Sequence, residues 1–262
     1  MFYTINEMAR QLGVTTHMLR YYERMGLIEP HTNEKTGYRY YSVKDTRRFN
    51  ISRMYRAYGM SISECKELLN GGDFSRVVRL LDEQESKMHE EINFKMDKLH
   101  TFLFWKPYIE NIFEDLGRAR VIHLPTVYRV TISHNEKRAE DPALTAYFAR
   151  WIDRFPVCTW ASRIKKEVLK APERGVFYDY GLIMPEMFFL KYDLFHDSYA
   201  ERIEGGTYVY TVFRKDTDEP FTLDCMEPTA PFLEKRGLKI VGDGFSNCLY
   251  STKENGEVVN YH

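Results

Sequence analysis

The sequence predicts an α+β chain in three parts: short helices closed by a two-stranded wing, one long helix, and a doubled α+β body. Three observations carry this. Apolar residues recur at helical spacing between capping signals over the first ~70 residues. No glycine interrupts residues 74–113. From about residue 118, strand-like and helix-like stretches alternate. The predicted segments are 1–72, 73–117 and 118–262.

In the first part, "TINEMARQLG" sets Ile5, Met8, Ala9 and Leu12 on one helical stripe, with Thr4 as cap and Gly13 as stop. "VTTHMLRYYERMG" follows almost at once and stops at Gly26, so the pair reads as helix-turn-helix. Pro30, Asn33 and Gly37 punctuate a turn before the aromatic run Tyr38-Arg39-Tyr40-Tyr41, which predicts a hairpin wing. "SVKD" at 42–45 and "SISE" at 61–64 are capping boxes that open two more helices, separated at Gly59.

In the second part, Leu81, Met88, Ile92, Leu99 and Phe102 fall near coiled-coil spacing, although Glu85 and Lys95 sit at inner positions. A helix this long and one-sided needs a partner. The chain offers no second long amphipathic helix, which favours a homodimer over packing within one chain. The third part holds strand signals in "RVIHLPTVYRVTIS", "GVFYDYGLIM", "GGTYVYTVFR" and "KIVGDGFSNCLYST". Helices are predicted in "DPALTAYFARWIDRF", with Leu144, Phe148, Trp151 and Phe155 on one stripe, and within "EPFTLDCMEPTAPFLEKRG". Strand-helix-strands occurs twice, a pattern of internal duplication.

Composition excludes several classes. With 44% hydrophobic residues the chain can bury a sizeable core. No run nears the ~18 apolar residues of a membrane span, and Met1–Glu7 shows no basic stretch followed by an apolar one, so a cytoplasmic protein is expected. Cys65, Cys158, Cys225 and Cys248 match neither a paired metal site nor a stapled small fold, which reads as reduced thiols with no metal and no cofactor.

The formal charge of -1 hides an asymmetry. Residues 1–56 carry two lysines and eight arginines against one aspartate and four glutamates, a net of +5, leaving -6 for the rest. A basic, arginine-biased head on an acidic body is the footprint of a nucleic-acid module joined to something else. Projecting "HMLRYYERM" onto a helix puts His17, Arg20, Tyr21 and Arg24 on one face and Met18, Leu19, Tyr22 and Met25 on the other. Arginines reach phosphates or guanine edges, and hydroxyls bind phosphates. Thr15 and Thr16 stand at the helix start, where backbone amides favour phosphate. Arg39 in the wing and Lys44, Arg47 and Arg48 beyond it extend the cationic surface. An ordinary solvated face with a Glu23–Arg24 ion pair fits the same residues.

"INEMARQLGV", "LRYYERMGLIEP", "GYRYYS" and "YGMSISE" stand in the order and spacing of the MerR family of transcriptional regulators, which the first ~70 residues closely resemble. The resemblance implies a winged helix-turn-helix homodimer, joined through the long helix, on pseudo-palindromic double-stranded promoter DNA. It implies activation by distorting that DNA, with RNA polymerase at the same promoter. By position it makes Thr16, His17, Arg20 and Tyr21 recognition-helix contacts, and Tyr38, Arg39 and Tyr40 wing contacts. Metal-sensing members carry cysteines near the long helix; here none lies between Glu67 and Val157.

The third part resembles the GyrI-like effector-binding domain of multidrug-sensing members in length, in its doubled pattern and in "GGTYVYTVFRK". That likeness implies an aromatic pocket for hydrophobic small molecules, often cationic, with ring faces and a carboxylate attracting the charge. Candidate rings are Tyr147, Trp151, Tyr178, Tyr180, Phe188, Tyr208 and Tyr210; the candidate acid is Glu186, then Asp179. Each ring taken singly suits core packing better than ligand contact. The late strand "GFSNCLYS" lacks the domain's usual acid, and "VVNYH" ends where a last strand usually follows. The pocket then recruits another acid, prefers neutral ligands, or belongs to a sequence cut short. No enzymatic activity is expected; the alternatives are a GyrI-like small-molecule hydrolase working through Glu186, and a DNA-bending protein with an inert C-terminal part.

Overall fold

The computed structural model describes residues 2–71, 73–134, 137–138, 140–170, 178–195, 198–216, 226–254 and 257–262. Gly72, Cys225, Pro220 and the first residues of the strand expected from Gly175 lie outside them. The chain divides into two compact units, Met1–Phe94 and Lys95–His262.

The first unit begins with β1 (Phe2–Tyr3), α1 (Ile5–Leu12) and α2 (Thr16–Arg24). Then come β2 (His31–Thr32), β3 (Arg39–Ser42), α3 (Val43–Ala57) and α4 (Ile62–Leu69). Each helix start has a local cause. Thr4 and Glu7 exchange hydrogen bonds across the first turn of α1, and Ser42–Asp45 and Ser61–Glu64 do the same for α3 and α4. Gly13 ends α1 at φ 64°, a left-handed conformation that a side chain would strain. Thr15 then caps α2 by accepting from the Met18 amide at 3.2 Å.

The wing is antiparallel: His31 faces Tyr40 and Thr32 faces Arg39, while β1 pairs with the other edge of β3. Its turn is held by Asn33, whose side-chain oxygen accepts from the Lys35 and Thr36 amides at 3.0 and 3.1 Å. One core joins these parts: Met8, Leu19, Tyr22, Leu27, Ile28, Tyr41, Phe49, Met60 and Cys65 are buried together. Removing a ring such as Phe49 from it costs about 3–5 kcal/mol.

The long helix α5 runs Phe74–Glu110, its first half in the first unit and its second half in the other. Leu81, Met88, Ile92, Leu99 and Phe102 are all exposed along it. Arg76 pairs with Glu67 and Glu83 near its start. Near its middle, Asp97 is almost fully buried.

The second unit continues with α6 (Ile112–Asp115), β4 (Ala119–Leu124), β5 (Val127–His134), β6 (Lys137–Arg138), α7 (Pro142–Ile152), β7 (Thr159–Ile164) and α8 (Lys166–Lys170). After these come β8 (Tyr178–Pro185), α9 (Glu186–Lys191), β9 (Ala200–Ile203), β10 (Gly206–Thr211) and β11 (Arg214–Asp216). It closes with α10 (Thr229–Lys235), β12 (Gly244–Ser246), β13 (Tyr250–Glu254) and β14 (Glu257–Tyr261). The main sheet runs β12-β7-β8-β5-β6, with β9 also on β5; β4 pairs with β10, and β14 lies between β11 and β13. "RVIHLPTVYRVTIS" is thus two strands, and "VVNYH" itself supplies the middle strand of a small sheet. Gly181 sits where β5 slips register, and a Cβ there would fall onto the Val130 carbonyl oxygen.

Helix α7 opens on Asp141, which accepts from the Ala143 amide at 2.9 Å. It buries Leu144, Tyr147, Phe148 and Trp151. Phe155 lies beyond the helix end, so the expected stripe stops at Trp151. Trp151 packs on Phe189 of α9, and Phe189 stacks on Tyr128 of β5 at 3.7 Å. The Lys191 amine meets both oxygens of Asp97 at 2.7 and 2.6 Å, and the Tyr192 hydroxyl donates to one of them at 2.5 Å.

Candidate nucleic-acid interface

Two elements build the interface, α2 and the wing strand β3. Leu19 and Tyr22 anchor α2 in the core, which turns His17, Arg20 and Arg24 out to solvent. Tyr21 is half-buried and packs against the same core. Met25, expected on the packed face, is exposed because the helix has already ended at Arg24. Thr15 and Thr16 stand at the start of α2, where unpaired amides and the helix dipole present partial positive charge.

The wing brings Arg39 to this helix. His17, Arg20, Glu23, Arg24 and Arg39 line one open cleft of about 380 Å³. Tyr38 is exposed at the wing, and Tyr40 is half-buried. Lys44 and Arg47 are exposed on the first turns of α3. Arg48 is not part of that surface. Its guanidinium turns inward and donates to the Leu27 carbonyl at 2.9 Å, the Leu69 carbonyl at 3.0 Å and the Asn70 side chain at 2.6 Å.

Sequence reasoning passed over Glu23 as half of a surface pair with Arg24. Its partners lie on the wing: Arg39 Nη1 at 3.1 Å and the Tyr41 hydroxyl at 3.0 Å. Burial, followed by the bond to Glu23, pushes the Tyr41 phenol up to about 12, so it stays a donor at neutral pH.

In the second unit the ring candidates lie on α7, β8, α9 and β10. Tyr147 and Trp151 meet edge to face under α7, and the Tyr147 hydroxyl donates to the Leu194 carbonyl. Phe188 is buried on α9. Tyr178 and Tyr180 meet edge to face on β8. Tyr208 and Tyr210 lie on β10, where Tyr210 packs against Tyr108. The Arg120 guanidinium lies 4.6 Å from the Tyr210 ring and makes two 3.0 Å bonds to Asp115.

Both acid candidates already have arginine partners. Glu186 accepts from Arg202 Nε at 2.8 Å. Asp179 is buried between Arg129 at 2.5 Å and Arg163 at 2.9 Å. Arg129 is fully enclosed, and that burial pulls its guanidinium down to about 10 even beside Asp179. The arginine partners were invisible in sequence because they arrive from other strands. Among the described residues no group of His, Cys, Asp and Glu is arranged to hold a metal ion, and no helix is long and apolar enough to cross a membrane.

Comparison with known proteins places the head in a family. A sequence model described as "MerR HTH family regulatory protein" matches residues 3–72. The mercuric resistance operon regulatory protein of Bacillus cereus is 32% identical over 119 residues, 45% of this chain and 77% of that one. The multidrug-efflux transporter 2 regulator of Bacillus subtilis (strain 168) is 26% identical over 102 residues, 39% of this chain and 37% of that one. The chain thus spans well under half of the multidrug regulator's length. A solved EcmrR–DNA complex aligns over 99% of this chain and 97% of its own, at 14% identity and a TM-score of 0.38, too loose a superposition to establish a shared fold. The family match covers the helices and wing that form the cleft, and the relative from Bacillus cereus extends it over most of its own length: the chain belongs to the MerR HTH family of regulatory proteins.

Proposed function

We propose that this protein is a ligand-responsive transcriptional regulator that binds double-stranded promoter DNA as a homodimer. The observation that carries the proposal is the cleft in which His17, Arg20 and Arg24 of α2 meet Arg39 of the wing. These cations, with the amides at Thr15 and Thr16 and with Lys44 and Arg47 alongside, suit a phosphate backbone flanking a groove. Tyr21, Tyr38 and Tyr40 add hydroxyl donors. The division of labour follows the segments 1–72 for DNA, 73–117 for dimerisation and 118–262 for the effector.

The exposed apolar stripe of α5 is suited to a second copy of the same helix. Regulation then works by distortion of promoter DNA in the presence of RNA polymerase. The effector is a lipophilic small molecule seated among the tyrosines of the second unit. Because Glu186 and Asp179 both carry arginine partners, a cationic effector must displace one of them or a neutral one is preferred. Duplexes enriched from a random pool, titrated by fluorescence anisotropy over a salt series, test the DNA reading. Binding that tightens as salt falls is expected, and no binding even in dilute buffer overturns it. Stabilisation by lipophilic compounds in a thermal-shift panel tests the effector reading.

A hydrolytic role draws little support. The Ser246 hydroxyl lies 3.4 Å from His262 Nδ1, but burial pushes that imidazole down to about 4, which makes it a weak base.

A further inference from the structure

The cleft contains one residue of the wrong sign. Among its lining side chains Glu23 alone is acidic. A carboxylate there repels phosphate, so it costs affinity for any nucleic acid. What it does instead is visible in its contacts. One oxygen takes the Tyr41 hydroxyl at 3.0 Å and the other pairs with Arg39 at 3.1 Å. Arg39 and Tyr41 are alternate residues of β3, so both reach out from the same side of the strand. Tyr41 is fully buried in the head's core, whereas more than half of the Arg39 side chain stays exposed. Glu23 is thus gripped from a fixed point and in turn holds an exposed cation against α2. Glu23 shares α2 with Arg20 and Arg24, so its bond to Arg39 ties the wing cation to the helix that carries the other two.

We propose that Glu23 is a positioning residue for sequence selectivity: it locks the recognition helix to the wing, so that Arg20, Arg24 and Arg39 engage a duplex in a single register. This rests on the DNA-binding reading above and deepens it. Without the carboxylate, Arg39 is released to follow phosphates wherever they lie. The cleft then gains a unit of positive charge and loses its fixed geometry. Affinity for arbitrary DNA and preference for the proper site move in opposite directions, which loss of folding cannot produce.

The test uses the full-length protein and a site enriched by the wild type from random duplexes. Affinities for that site and for a random duplex are measured at one salt concentration. Glu23→Gln is expected to tighten random-duplex binding about threefold and to lower the ratio of the two affinities about tenfold. Tyr41→Phe, which removes one grip and leaves the charge, is expected to lower the ratio by a smaller factor. In a double-mutant cycle, Arg39→Gln should cost much less selectivity once Glu23→Gln is present. A wild-type ratio in Glu23→Gln overturns the proposal. So does a parallel fall in both affinities together with melting temperature, and so does strict additivity with Arg39→Gln. A wild-type protein that enriches no sequence overturns the DNA-binding reading itself, an outcome distinct from all three.

Discussion

The two units use their arginines in opposite ways. In the first, Arg20, Arg24 and Arg39 stand at the surface around one cleft, and the carboxylate among them, Glu23, pairs with Arg39. In the second, Arg129 and Arg163 are buried and share Asp179, with Glu201 taking a further bond from Arg163 at 2.5 Å. An exposed guanidinium keeps its hydration and remains available to an outside anion. A buried one has lost its water and depends on the carboxylate beside it. The difference separates charge held in reserve for a partner from charge spent within the fold.

The largest break in this contrast should come at Asp179. Asp179→Ala takes the paired carboxylate from the enclosed Arg129, while Arg163 keeps Glu201, and should lower the unfolding free energy of the second unit by about 3–5 kcal/mol in urea denaturation. An unchanged midpoint would mean that water reaches the cluster. Next comes a neighbouring pair in the head. Arg48→Ala removes three bonds to the Leu27 and Leu69 carbonyls and Asn70, and should cost about 2 kcal/mol of stability. Arg47→Ala, one residue away and exposed, should leave the melting temperature alone and weaken DNA binding instead. Arg20→Ala is expected to weaken binding to any duplex about tenfold and to reduce the salt slope by about one.

A separate effect is one of pH. Burial lowers the His262 imidazole from 6.5 to about 4 in the folded state. Between those values the unfolded chain binds the proton and the folded one does not, so stability falls as pH drops through that window. His262→Phe should flatten that part of the profile, measured by thermal melts from pH 7 to pH 4.

Much of the head was legible because its signals are local. Thr4 with Glu7, Ser42 with Asp45 and Ser61 with Glu64 are each three residues apart, and a helix brings that spacing together by itself. The alternation that marks the wing is equally local. The partners that give the side chains their tasks are not. Glu23 reaches Tyr41 across 18 residues, Arg48 reaches Leu69 across 21, and Arg129 reaches the Asp179 carbonyl across 50. Such pairs depend on strand register and on how helices pack, which periodicity does not encode. The same limit holds in the second unit. Tyr147, Trp151 and Tyr210 were recognisable as rings, but the Leu194 carbonyl, Phe189 and Arg120 that meet them come from distant segments.

The fastening at Asp97 sets a mechanical condition on whatever enters the second unit. Lys191 and Tyr192 are both tied to that buried carboxylate, which fastens the end of the short helix α9 to the part of α5 that lies in the second unit. Any shift of the corner between β8 and α9 therefore strains the bonds to Asp97, which lies on the stretch of α5 belonging to the same unit.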